Sequence, residues 1–259
     1  EKLAAAVRPD TILVSVMLAN NETGVIQPIK KIAELSHGVG ALFMSDATQA
    51  VGKIAVNVDE LGIDLLCLSG HKLYAPKGVG ALYVRQRMNR VKIPALLHGG
   101  GHEKGLRSGT LNVPGIVALG EACAIAKREL SKNAESIGAL RNYLETELLK
   151  IEGTSVNGNT SSRLFNTSNI LFRGADSDAI IMGLSNPDND LPLIAVSNGS
   201  ACTSASIEPS HVLTAMGLDE VAAFSSIRFS IGKFNTKKEM DIVIDAVKNV
   251  VSSLRSMVS

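Results

Sequence analysis

The chain has 259 residues, 45% of them hydrophobic, which is enough apolar material for one large domain or two smaller ones. A net charge of +1 with no basic stripe argues against a nucleic-acid partner, and no apolar run is long enough to span a membrane. Three cysteines, Cys67, Cys123 and Cys202, are too few and too scattered for a disulfide framework or a CxxC metal site; they point to a reducing compartment, and no secretory signal opens the chain.

In chain order, strand-like and helical runs alternate, the pattern of a mostly parallel sheet with helical crossovers. Glu1-Lys2-Leu3-Ala4-Ala5-Ala6-Val7 reads as the tail of a helix whose start is missing, so the chain is expected to be a fragment. Ile12 to Leu18 reads as a strand, and Pro28 to His37 as a helix with proline in its first turn and Gly38 at its end. Further strands are expected at 41–46, 64–69 and 79–84. A helical stretch from Val113 to about Lys150, interrupted or hinged near Ser131 to Ser136, carries the domain boundary and gives domains of 1–130 and 131–259. In the second, Ser168 to Phe172, Asp176 to Leu184, Ile194 to Ser197 and Ser226 to Ser230 are expected to build a smaller α+β unit, with Ser185 to Pro192 as an extra turn-rich loop. Thr236 to Met257 closes the chain as a helix, with Thr236 and Glu239 at capping-box spacing.

The chemistry gathers at two strand ends. Asp64 to Leu68 runs into Ser69-Gly70-His71-Lys72, which presents an ammonium beside hydroxyl and imidazole groups, and Ala41 to Ser45 ends on Asp46. Both would emerge at the carboxyl edge of one sheet, where α/β folds place ligands. Lysine plus aspartate there suits pyridoxal phosphate: the lysine forms a Schiff base and the carboxylate keeps the pyridine nitrogen protonated. Gly99 to Gly101 do not form a dinucleotide fingerprint. Arg228 lies in an apolar run, where its charge needs a partner, either a substrate carboxylate or an internal salt bridge. Cys67 and Cys123 read as small core hydrophobes; Cys202, flanked by Asn198, Gly199, Ser200, Thr203 and Ser204, reads as a reachable thiol.

Six motifs carry a family resemblance: Asn20-Asn21-Glu22-Thr23-Gly24, Asp46-Ala47-Thr48-Gln49, Ser69-Gly70-His71-Lys72, Gly99-Gly100-Gly101-His102-Glu103 with Arg107-Ser108-Gly109-Thr110, Ser200-Ala201-Cys202-Thr203-Ser204, and Ser226-Ile227-Arg228-Phe229-Ser230. In this order, over essentially the whole chain, they resemble the cysteine desulfurases of the class V aminotransferase superfamily, and the long cysteine loop resembles the iron–sulfur-assembly branch. The resemblance implies an α/β, fold-type-I pyridoxal-phosphate transferase, with part of a large mostly parallel domain followed by a smaller α+β domain. It also implies roles: Lys72 as the Schiff-base lysine, Asp46 on the pyridinium nitrogen, Gln49 on the phenolic oxygen, and Ser69 and His71 on the phosphate. Thr110 would contact the phosphate of a neighbouring subunit, implying a homodimer. Arg228 would hold the carboxylate of L-cysteine, and Asn21 would assist there or at the cofactor ring.

Cys202 would accept the sulfur as a persulfide, leaving L-alanine, and pass it to a sulfur-acceptor protein such as an iron–sulfur scaffold or a tRNA-thiolation protein. The expected compartment is the cytoplasm, or the mitochondrial matrix in a eukaryote. Family members carry a preceding segment with a phosphate-binding helix N-terminus and a histidine stacked on the ring, and neither is located here. Two alternatives share these motifs. A selenocysteine lyase or another class V aminotransferase-like enzyme would use Lys72 and Asp46 without needing the loop cysteine. The other is a truncated, non-catalytic fragment that acts only as a dimerisation or sulfur-relay module.

Overall fold

The computed structural model describes residues 1–86, 91–185, 193–199 and 208–257. The chain divides into two compact units, one of Glu1–Ala19 with Gln27–Leu130 and one of Asn20–Ile26 with Ser131–Ser259.

The first unit holds α1 (Lys2–Ala6), β1 (Leu13–Ser15), α2 (Ile29–His37), β2 (Leu42–Asp46), β3 (Leu65–Ser69) and β4 (Gly80–Val84). The sheet order is β1-β2-β3-β4; the first three strands are parallel and β4 is antiparallel to β3. This is the mostly parallel sheet expected from the sequence. β1 is shorter than the Ile12–Leu18 run: past Ser15 the chain only touches the carbonyls of Met44 and Asp46, at 3.1 and 2.8 Å. α2 buries Ile29, Ile32, Ala33 and Ser36, one face of a helical period, and packs on β2. β4 closes so tightly on β3 that a Cβ on Gly80 would lie 2.6 Å from the Leu68 carbonyl oxygen.

Asp64, just ahead of β3, ties this unit together. Its buried carboxylate accepts the Phe43 N–H at 2.9 Å, lies 2.7 Å from His37 Nε2, and pairs with Arg85 Nε at 3.4 Å. The rest of the Arg85 guanidinium donates to the carbonyls of Val58 and Ile63 and to Asp59.

α3 (Val113–Leu148) corrects one expectation. It runs unbroken through Ser131–Ser136, and the division between the units falls inside it. Ser136 bonds the Lys132 carbonyl at 2.9 Å, so its hydroxyl is satisfied without leaving the helix, and Ile137, Leu144 and Leu148 anchor the following turns in the core.

The second unit adds β5 (Thr154–Val156), β6 (Thr167–Phe172), α4 (Ser177–Leu184), α5 (His211–Ala215), α6 (Glu220–Phe224), β7 (Ser226–Ser230) and α7 (Lys237–Ser256). Its sheet is antiparallel in the order β5-β6-β7, and every residue of the central strand β6 is buried. Ile170, Phe172, Ile227 and Phe229 from the sheet meet Ile180 of α4 and Ile244, Val247 and Val251 of α7. Thr236 caps α7 through the full reciprocal box with Glu239. Ile194–Ser197 is not a strand, since only Ser197 bridges β7, at Arg228, while Ile194 is drawn into the core. Residues 186–192 of the expected turn-rich loop lie outside the described residues. No helix among the described residues is long and apolar enough to cross a membrane.

Candidate active site

In the first unit, β2 and β3 end side by side in the same direction, with Asp46 paired in register to Cys67, two residues before Ser69. Asp46 is exposed and its Oδ1 accepts the Thr48 N–H at 2.8 Å, which shapes the turn carrying Gln49. Cys67 is only half-buried, not the core residue expected; burial first, then the adjacent Asp46 carboxylate, pushes its thiol pKa up. After β3 the chain folds into a 3-10 turn over Gly70–Leu73, which leaves His71 and Lys72 exposed while Leu73 is buried. Ser69 Oγ lies 2.8 Å from His71 Nδ1, so the two polar groups ahead of the lysine form one pair.

Lys53 was not legible as part of this edge. Its Nζ donates to the Gln49 carbonyl at 3.0 Å and reaches the Lys72 carbonyl at 3.5 Å, joining the two turns. Burial first, then the positive charge of Lys72, lowers its pKa to about 8. The one sequence signal is its place four residues after Gln49, one helical turn on. Thr110 is exposed in the segment that leads into α3, and among the described residues its side chain forms no hydrogen bond to Lys72, Asp46 or Ser69.

In the second unit, Asn20–Gly24 forms a tight turn. Asn20 Oδ1 accepts the N–H groups of Glu22 and Thr23, each at 2.9 Å, and Gly24 completes the turn at φ +74° with its N–H on the Asn20 carbonyl. A Cβ on Gly24 would stand 3.0 Å from Thr167 Cβ. Arg228 of β7 donates from Nη1 to the Asn21 carbonyl at 3.1 Å, and its buried Nε has no hydrogen-bond partner. Burial lowers the Arg228 pKa and the Glu22 charge opposes that shift. The salt-bridge alternative is therefore not realised as a contact: among the described residues no ion pair engages Arg228. Asn21 meets Arg228 through its backbone carbonyl. Glu22, buried at 1% exposure, lay unassigned inside a recognised motif. Cys202 lies outside the described residues.

The aminotransferase class-V family profile matches residues 1–243, and the chain belongs to that family. It is 51% identical over 99% of its length to cysteine desulfurase IscS of Haemophilus influenzae, and 50% identical to the same enzyme of Histophilus somni. It spans 62% of the length of these relatives. Among solved structures, a NifS-like protein from Rickettsia africae superposes with a TM-score of 0.84 at 35% identity, covering 97% of this chain and 65% of that one. Another NifS-like protein gives 0.86 at 37% identity, covering 97% and 64%.

Enzymes of this family depend on pyridoxal phosphate. The donor set on the first unit's sheet edge suits that group: a solvent-facing primary amine, a carboxylate at the neighbouring strand end, and a paired hydroxyl and imidazole ahead of the amine.

Proposed function

We propose that the full-length protein is a pyridoxal-phosphate-dependent cysteine desulfurase that takes sulfur from L-cysteine, releases L-alanine and carries the sulfur as a persulfide on Cys202. What supports the reading most is the shared carboxyl edge of β2 and β3, which sets the Asp46 carboxylate and the Lys72 amine on adjacent parallel strand ends. The 51% identity to cysteine desulfurase IscS supports the choice of reaction. Residues 1–130 are then the C-terminal part of the large cofactor-binding domain and 131–259 the small domain with the catalytic-cysteine loop.

When bound, pyridoxal phosphate supplies an electron sink that weakens the bond between Cβ and sulfur of the amino acid. Lys72 would hold the cofactor through its amine. Asp46 keeps a proton on the pyridine nitrogen, Gln49 donates to the phenolic oxygen, and Ser69 and His71 donate to the phosphate. Thr110 serves the phosphate of a second copy in a homodimer. Arg228 aligns the substrate α-carboxylate through two parallel hydrogen bonds, with the Asn21 side chain assisting. The Cys202 thiolate attacks the substrate sulfur; the S–S bond forms as the C–S bond breaks, and its electron pair leaves with the carbon. The persulfide goes to an acceptor protein of iron–sulfur assembly or tRNA thiolation, and the compartment is cytoplasmic.

The test is to incubate full-length protein with pyridoxal phosphate and L-cysteine and to measure alanine together with the mass of the Cys202 peptide. Cys202→Ser is expected to keep the cofactor absorbance and lose the persulfide, whereas Lys72→Ala loses both covalent cofactor attachment and turnover. Alanine release that persists in Cys202→Ser would point to the lyase or aminotransferase alternative.

A further inference from the structure

Glu22 is a fully buried acid without a part in the chemistry above. The Asn20 side chain pins its backbone, and its carbonyl accepts from Asn169 Nδ2 at 3.3 Å. Asn169 is itself held by Asn157, which also donates to Ser226 Oγ at 2.9 Å, so the turn rests on a buried polar network that leaves little freedom. The Glu22 carboxylate accepts a hydrogen bond from Ser210, the N-cap of α5. Glu22 directly follows Asn21, whose carbonyl Arg228 engages, and its own carbonyl accepts from Asn169, the register partner of Arg228 in β6; its charge opposes the burial that lowers the Arg228 pKa, although among the described residues no ion pair closes between them. Among the described residues Arg228 thus has one side-chain donor engaged, a buried Nε without a partner, and a countercharge nearby with which it forms no ion pair.

A desolvated guanidinium with no countercharge would grip any carboxylate tightly, and L-cysteine and L-alanine present the same α-carboxylate. A fixed negative charge beside the arginine stabilises the guanidinium while the site is empty and repels the carboxylate that enters. Substrate and product are weakened alike, which favours release. We propose that Glu22 is a positioning residue that sets the carboxylate affinity of Arg228, acting as its internal countercharge and competing with the ligand. This rests on Arg228 being the carboxylate site.

The experiment is a titration of the full-length protein with sodium acetate at constant ionic strength, following the Arg228 Nε–H resonance by NMR, with the signal assigned by its loss in Arg228→Lys. Acetate is expected to shift the resonance in the wild type. In Glu22→Gln, which keeps an acceptor for Ser210 but removes the charge, the acetate dissociation constant is expected to fall by at least about tenfold. Ser210→Ala keeps the charge, so its acetate affinity is expected to stay within about twofold of the wild type. A merely structural Glu22 predicts equal or weaker binding in Glu22→Gln, and that result overturns the proposal. If Glu22→Gln does not fold, Glu22→Met, which leaves no buried polar group to satisfy, is titrated with the same expectation and the same overturning result. Silence of the Arg228 resonance to acetate in every chain overturns the Arg228 reading itself, a result distinct from a wild-type response that the Glu22 variants fail to strengthen.

Discussion

Two buried charge clusters in this chain start from the same ingredients and end in opposite states. Asp64 accepts a backbone N–H and faces His37 and Arg85, and Arg85 spends every arm of its guanidinium on carbonyls or carboxylates. Among the described residues the Arg228 side chain makes one hydrogen bond, has a buried Nε without a partner, and forms no ion pair with its carboxylate neighbour Glu22. The first arrangement is closed: each donor has its acceptor, and the cluster fastens α2, β2 and the chain after β4. The second keeps donors in reserve, which is how a ligand site differs from a staple. An orphaned nitrogen alone does not make that distinction, because Arg163 also has a buried unpartnered Nε while its two terminal nitrogens clamp Glu145 at 2.7 and 2.6 Å. Arg141 shares the open pattern, with a buried unpartnered Nε and an Nη1 that reaches only the Thr167 carbonyl at 3.4 Å, so what separates Arg228 is its place in the Ser226–Ser230 motif against the Asn20–Gly24 turn.

The largest effect should come from opening the closed cluster. Asp64→Ala leaves the buried Phe43 N–H without its acceptor and removes one of the two carboxylates facing Arg85, which keeps Asp59 and its carbonyl partners, so the cost is expected at the low end of the about 3–5 kcal/mol of a broken buried ion pair. Urea unfolding is expected to reveal that loss while the acetate response of Arg228 stays unchanged. A loss under about 1 kcal/mol would put Asp64 in the same open class as Arg228.

Arg228→Ala should do the reverse. It removes a charge-assisted bidentate contact of about 1.5–3 kcal/mol, so the KM for L-cysteine in the full-length protein is expected to rise by about tenfold to a hundredfold with little change in the unfolding midpoint. A variant that fails to fold would instead mark Arg228 as a staple.

How much of this was legible follows the same division. The strand ends at Asp46 and Ser69 were readable because apolar runs stop there on polar residues and glycine, and the Thr236–Glu239 box because both partners are local. The continuity of α3 was not, because Ser131 to Ser136 looks like a break until Ser136 is seen bonding backward and Ile137 buried. The burial of Glu22 was hidden too, since its partners Asn169 and Ser210 are 147 and 188 residues away. Ile194–Ser197 has strand composition, but only one of its residues bridges β7.

The smallest effect concerns Lys53. Its folded pKa of about 8 lies below the ordinary 10.5, so between those values the unfolded chain binds more protons and stability rises with pH across that window. The side chain is partly buried, so residual solvent screening discounts the shift and the rise should be about 1–2 kcal/mol. Lys53→Met is expected to flatten it in unfolding curves taken from pH 7.5 to 10.5. An unchanged slope would assign the rise to another group.

The raised thiol pKa values have a practical side. Burial, joined at Cys67 by the Asp46 carboxylate, keeps Cys67 and Cys123 protonated, and a protonated thiol alkylates slowly. The chain has a single further cysteine, Cys202. Brief treatment with a maleimide near neutral pH should therefore label by kinetics rather than by mutation: within these 259 residues any fast-reacting sulfur is Cys202, and a dye or spin label can be put on it without removing the other two thiols.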